Sequence, residues 1–175
     1  MSPGKMKLTV CSDSIIRVMY SPTATLPAGQ TFAVTNTAWP VVSFQVTDST
    51  GSVAIATIKL KVAVDKTSGA VQFFDSSNNL LLAEPPTGGK TVPPVTVNGE
   101  SAYQPQQEFR SPADEFIYGL GQYQEGIWNW RGIPQQLRQV NTQIGVPMIV
   151  SSYGYGVLWN NAALTDFNPA DPPEA

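Results

Sequence analysis

Asp114, Glu115 and Glu125 lie close together in the sequence, beside a stretch dense in aromatic and amide side chains, and they are its candidates for acid–base chemistry. They carry that burden because the 175 residues include no histidine, the usual general base near neutral pH and the commonest metal ligand. Ser-His-Asp and Cys-His nucleophilic devices are thereby excluded. The single cysteine, Cys11, cannot make an internal disulfide, and a zinc site would have to be built almost wholly from carboxylates. Cys11 is therefore read as a small buried apolar side chain. Two carboxylates roughly 5 to 10 Å apart across a pocket suffice to hydrolyse a glycosidic bond. Asp114 and Glu115, however, are adjacent in a loop-to-strand junction that follows Ser111-Pro112, where acids are ordinarily solvated or capping. That is their expected role, and the sequence offers no convincing catalytic pair.

A second chemistry is suggested by Trp128, Asn129, Trp130 and Arg131. A strand over residues 127–130 would place both tryptophans on one face and Asn129 and Arg131 on the other. Tryptophan faces stack on sugar rings and amides bind sugar hydroxyls, but tryptophan also fills sandwich cores. Trp130 is read as core, and Trp128 as either. The following residues 132–145 carry Gln135, Gln136, Gln139, Asn141 and Gln143, uncharged hydrogen-bonding groups that suit a polyol ligand and equally suit a soluble loop. Two glycine motifs fail on inspection. Gly88-Gly89-Lys90-Thr91 resembles the end of a phosphate-binding loop, but Glu84 stands where its first glycine should, and Thr91-Val92-Pro93-Pro94 cannot open the required helix. It is read as a turn. Gly119-Leu120-Gly121 lacks the third glycine of a dinucleotide fingerprint and is read as a bulge or a close backbone approach.

The elements that must hold these residues are strands. Fourteen glycines and fifteen prolines, scattered along the chain, leave little room for long helices. Residues 58–65 alternate Ile58, Leu60, Val62 and Val64 with Lys59, Lys61, Ala63 and Asp65, the period of a strand with one wet face. With 71–74 and 80–83, and turns between, they predict a three-stranded meander. Strands are also predicted at 7–11, 15–20 and 41–46, and later at 103–109, 116–120, 127–130, 146–151 and 155–159. Residues 84–99, with four prolines and three glycines, are read as a surface loop, and 168–175 as a terminal one. Many short strands separated by turns point to an all-β, antiparallel β-sandwich.

A chain of this length has room for one domain. Hydrophobic residues at 42% argue against disorder, while charged residues at 13%, well under the usual quarter, imply a surface of Ser, Thr, Asn and Gln. Ten basic and thirteen acidic side chains leave a net charge of −3, so nucleic acid is not an expected partner. Nor is a membrane, since no stretch approaches a spanning length. Residues 1–13 lack the apolar core of a signal peptide, which leaves either a cytoplasmic chain or a missing true N-terminus.

Several spaced motifs together resemble a known family. They are Phe116-Ile117-Tyr118-Gly119-Leu120-Gly121-Gln122, Gly126-Ile127-Trp128-Asn129-Trp130-Arg131-Gly132, Gln139-Val140-Asn141-Thr142, residues 147–152, and Tyr153-Gly154-Tyr155-Gly156-Val157-Leu158-Trp159-Asn160-Asn161. Ser12-Asp13-Ser14-Ile15-Ile16-Arg17-Val18, followed by Tyr20-Ser21-Pro22, fits the same pattern. The whole resembles the N-terminal domain of family 31 glycoside hydrolases, nearest to bacterial α-xylosidases and α-glucosidases. The resemblance implies a galactose-mutarotase-like β-sandwich over residues 1–167, lacking its last strands, ahead of a (β/α)₈ barrel absent from this chain. It implies retaining hydrolysis of α-linked xylose or glucose by aspartates of that barrel, with no catalytic residue here and no metal or organic cofactor. It also implies that residues 136–143 form a loop over the barrel mouth, with Gln139 and Asn141 touching substrate and Trp128 and Asn129 supporting the loop. The alternatives are a free-standing carbohydrate-binding module and a structural sandwich that packs on a partner. Without its last strands the isolated chain is expected to fold marginally or to aggregate.

Overall fold

The computed structural model describes residues 4–26, 31, 33–36 and 38–168. Among them there is no helix, and every strand pairing is antiparallel. Beyond Asn168, the expected terminal loop lies outside the described residues. Backbone contacts divide the chain into two compact units, one carrying strands β1 to β11 and the other β12 to β16.

The first unit opens with a hairpin of β1 (Lys5–Ser12) and β2 (Ile15–Ser21). A five-stranded meander follows, with β3 (Gln45–Asp48), β4 (Ser52–Ala56), β5 (Leu60–Asp65), β6 (Val71–Asp75) and β7 (Leu80–Ala83) neighbouring one another in chain order. Period-two alternation sends Met6, Leu8 and Val10 of β1 and Ile16 and Val18 of β2 onto a core of Ile55, Val62 and Val71. Cys11 is buried, as expected. The strand predicted from residue 58 begins two residues later. Thr57 Oγ1 accepts from the Lys59 and Leu60 amides (3.2 and 3.0 Å) and donates to the Asp13 carbonyl (2.5 Å), turning the backbone there and leaving Ile58 in solvent. The meander also gains β4, a strand that the sequence pattern does not predict, while the 41–46 strand is shifted to Gln45–Asp48.

Residues 84–99 are more regular than a loop. They contribute β8 (Lys90–Thr91) and β9 (Pro94–Val97), which pair with β11 (Gln106–Gln107) and β10 (Glu100–Tyr103) respectively. Asn98-Gly99, both with positive φ (50° and 84°), makes the two-residue turn of the β9–β10 hairpin, a connection that favours this dipeptide. The expected strand over 103–109 is therefore divided between β10 and β11. Lys90 is no phosphate ligand. Its ammonium pairs with the buried Glu84 carboxylate, which also accepts from Gln107 Nε2 (3.0 Å) and the Val71 amide (3.1 Å).

In the second unit β12 (Ile117–Gln122), β14 (Ile144–Ser151) and β15 (Gly156–Leu158) form one sheet in the order β12-β14-β15, and β13 (Gln135–Leu137) pairs with β16 (Thr165–Phe167). The core is Ile117, Leu120, Trp130, Leu137 and Ile149, with Tyr123, Ile127, Ile133, Val157, Trp159 and Phe167 packed around it. The Gly119-Leu120-Gly121 motif is a bulge. All three residues have positive φ, and Leu120 is driven fully inside.

Residues 127–130, by contrast, form no strand, so the shared face expected of Trp128 and Trp130 does not arise. Gly126 and Gly132 (φ 68° and 70°) turn the backbone on either side. Trp130 is 3% exposed, edge-on to Tyr123 at 5.3 Å between ring centroids, whereas Trp128 is 83% exposed. Trp130 is thus a core residue, as its type suggests.

Candidate functional site

The amide-rich segment connects β13 to β14, which belong to different sheets, and folds back on itself as a minimal hairpin of its own. Leu137 anchors one end in the core, and Gln139 Nε2 donates to the Gly145 carbonyl at 2.8 Å, tying the two sides together. Above that tie Val140 and Gln143 exchange backbone hydrogen bonds (3.4 and 3.2 Å), so Asn141 and Thr142 are the two residues of the tip. Thr142 has φ 118°, a backbone setting that a β-branched residue adopts at a cost of about 1–3 kcal/mol. Gln143 Nε2 reaches Glu125 Oε1 at 3.3 Å, and Gln136 Nε2 reaches Asp166 Oδ1 on β16 at 3.0 Å. The connection is thus braced at several points. The Asn141 side chain, at the exposed tip, has no partner among the described residues.

A depression of about 350 Å³ lies at the base of this hairpin, lined by Leu137, Arg138, Gln139, Gly145, Pro147 and residues 161–165. Gln139 borders it, and Asn141, Trp128 and Asn129 do not. Asn129 acts locally, because its Oδ1 accepts from the Ile117 amide (2.9 Å) and the Arg131 amide (3.1 Å) and so fastens the bend to the start of β12. The Arg131 guanidinium is likewise engaged, donating to Ser111 Oγ (3.2 Å) and to the carbonyls of Pro112 (2.8 Å) and Ser111 (3.2 Å). The structure thus joins Gln139 and Asn141 in one hairpin and holds Trp128 and Asn129 in another segment.

Each of the three candidate acids is hydrogen-bonded within the fold. Glu115, expected to be solvated or capping, is instead 1% exposed. Its carboxylate accepts from Ser111 Oγ (2.7 Å), Ser151 Oγ (2.5 Å) and the Tyr155 hydroxyl. Burial first, then the bond to Glu115, push the Tyr155 phenol well above its ordinary range. Asp114 lies at the surface and accepts from the Tyr153 hydroxyl (2.8 Å), which raises that phenol too. Glu125 is held by Gln143. Among the described residues no group of three or more His, Cys, Asp or Glu could hold a metal ion, and no helix is long and apolar enough to cross a membrane. The Glu115 cluster escapes sequence reasoning because two of its donors, Ser151 and Tyr155, are 36 and 40 residues away and come near only as β14 pairs with β12.

Residues 5–168 match the glycosyl hydrolase 31 N-terminal galactose mutarotase-like domain. An α-xylosidase of Saccharolobus solfataricus is 42% identical over 73 residues, which are 37% of this chain and 10% of that protein. The crystal structure of a family 31 α-xylosidase from Xanthomonas citri superposes with a TM-score of 0.83 and 33% identity, over 92% of this chain and 17% of that one. A family 31 α-xylosidase from a soil metagenome, complexed with xylose, gives a TM-score of 0.81 and 27% identity over 94% of this chain and 27% of its own. This chain therefore spans about a tenth to a quarter of the length of these relatives. Its antiparallel sheets and its match over nearly the whole length agree, and the chain belongs to the N-terminal, galactose-mutarotase-like β-sandwich family of the family 31 glycoside hydrolases.

Proposed function

We propose that this chain is the non-catalytic N-terminal sandwich of an α-glycosidase acting on α-linked xylose or glucose, and that it shapes the rim of a sugar site whose acids lie on another part of the enzyme. In this reading residues 1–167 are the sandwich and the catalytic barrel is its partner. Gln139 and Asn141 contact the sugar, with Trp128 and Asn129 supporting that contact. Cleavage at the barrel would proceed by two displacements through a covalent glycosyl intermediate, its nucleophile and acid/base both aspartates.

The observation that carries the reading is the tip of the β13–β14 connection. It is braced by Gln139 and strained at Thr142, and it presents an unpartnered Asn141 amide to solvent. Backbone strain of that kind persists where the surroundings over-determine the conformation, and it concentrates at binding sites. The acids add support, since each candidate carboxylate is already hydrogen-bonded within the fold. An aryl α-xyloside assay on the purified 175-residue chain tests the proposal: no turnover is expected, and turnover above background refutes it.

Trp128 favours a second reading. An indole 83% exposed is an available platform for a sugar ring, as in a free-standing carbohydrate-binding module. Calorimetry with xylo- and gluco-oligosaccharides separates the two. Heat that is lost in Trp128→Ala supports the module, and no heat with either series leaves the rim reading.

A further inference from the structure

Along β14, Ile144, Val146, Met148 and Val150 all point away from the core that holds Ile149. Register extends this stripe sideways, because Tyr118 of β12 lies opposite Val150, and Leu158 of β15 lies opposite Met148. All six side chains are between 39% and 51% exposed. The three strands contain no Lys, Arg, Asp or Glu, so no charge interrupts the face. Strands elsewhere in the chain do carry charge: Lys5 and Lys7 on β1, Arg17 on β2, Lys61 and Asp65 on β5. A sheet face left in water is ordinarily polar, and charged side chains are the usual guard against association. Contiguous apolar surface without them marks a permanent interface more than a transient one.

We propose that the outer face of the β12-β14-β15 sheet is the docking surface for the remaining polypeptide of the larger enzyme, and that its occupant is an apolar, uncharged protein surface. The inference rests on reading the chain as one part of a longer glycosidase. Two observations favour this occupant. The relatives that superpose over more than nine-tenths of this chain extend far beyond it, the match covering 17% and 27% of their lengths. The face also carries no charged side chain that could pair with a charged partner, and its only polar side chains are Tyr118 and, opposite Ile144 at its corner, Gln122.

The test uses the full-length Xanthomonas citri α-xylosidase with its matching segment exchanged for this chain, alongside the 175-residue chain alone. Val146→Lys with Met148→Lys is made in both, and Val97→Lys, at an exposed position of β9, serves as the control. In the isolated chain the lysine pair is expected to leave the unfolding midpoint unchanged or higher and to reduce binding of an apolar dye. In the chimera the same pair is expected to lower the midpoint by several degrees and to cost most of the soluble yield, with the control silent in both. An active chimera whose midpoint ignores the lysine pair overturns the docking face and leaves the larger reading standing. A chimera that never assembles in soluble form overturns both. A discrete dimer of the isolated chain, dissociated by the pair while the chimera is indifferent, assigns the face to a second copy and overturns the proposed occupant.

Discussion

Glu115 is the residue on which the second unit's polar interior turns. A buried carboxylate is tolerable only when its oxygens are satisfied, and here three hydroxyls from Ser111, Ser151 and Tyr155 do so without a cation in the set. Replacing it by leucine would strand those hydroxyls in the interior. Glu115→Leu should therefore lower the unfolding free energy by about 3 kcal/mol or more, read from the urea midpoint, while Glu115→Gln, which keeps an acceptor, should cost roughly 1–2 kcal/mol. Tyr155 adds a pH dependence. Its phenol is held neutral in the fold by burial and by its bond to Glu115, whereas the unfolded chain ionises it near its ordinary value of about 10. Its contribution is thus whole below that pH and is lost as pH rises toward the folded value, because only the unfolded chain then releases the proton. Alkaline denaturation should begin above about pH 10, and Tyr155→Phe should flatten that limb. An unchanged limb would remove Tyr155 from the account.

At the scale of the element, the bulge in β12 decides how the second unit packs. Gly121 has φ 114°, and a Cβ there would stand 1.8 Å from the Ile144 carbonyl oxygen across the sheet. Gly126, on the turn that follows, has φ 68° but nothing within 4 Å of where its Cβ would be. Backbone strain alone is worth about 1 kcal/mol, whereas a collision with the neighbouring strand's backbone adds several more. Gly121→Ala is accordingly expected to abolish soluble expression, or to lower the thermal midpoint far more than Gly126→Ala does; equal effects would show that the close approach is not what the bulge is for. Strands with a clean period of two and turn residues at both ends are legible at this scale: β1, β2, β6, β7, β12, β14 and β15 lie close to their predicted positions. β13 is hidden by its amides and β16 by its short length, since both are held by pairing with each other and not by an apolar alternation of their own. Residues 127–130 err the other way. Their aromatic content reads as a strand, but Asn129 and the flanking glycines bend the backbone.

For the molecule as a whole, the relevant fact is how little of its relatives it spans. A sheet with an apolar outer face and free edges is prone to self-association when nothing covers it. The isolated chain is expected to fold marginally and to elute as a broad or aggregated species except at low protein concentration, where its midpoints are read. A monomeric sample with a single reversible transition, monitored by tryptophan fluorescence, would show that the two cores stabilise it unaided. The low share of charged side chains, 13%, points the same way, since little net repulsion opposes association.

The sequence by itself determined the class of fold and the family, because both depend on local quantities: alternation of apolar residues, turn dipeptides, and glycines where φ must be positive. It also bounded the chemistry, since a chain without histidine rules out Ser-His-Asp and Cys-His devices. What each polar residue does was decided only by tertiary structure. Glu115 looked solvated and is buried because β12 and β14 bring Ser151 and Tyr155 to it. Lys90 looked like the end of a phosphate loop and is neutralised because Glu84, itself held by Gln107, meets it. Trp128 and Trp130, two residues apart, went to opposite environments. Burial and hydrogen-bond partnership depend on residues far away in the chain, and no local pattern encodes which distant strand will arrive.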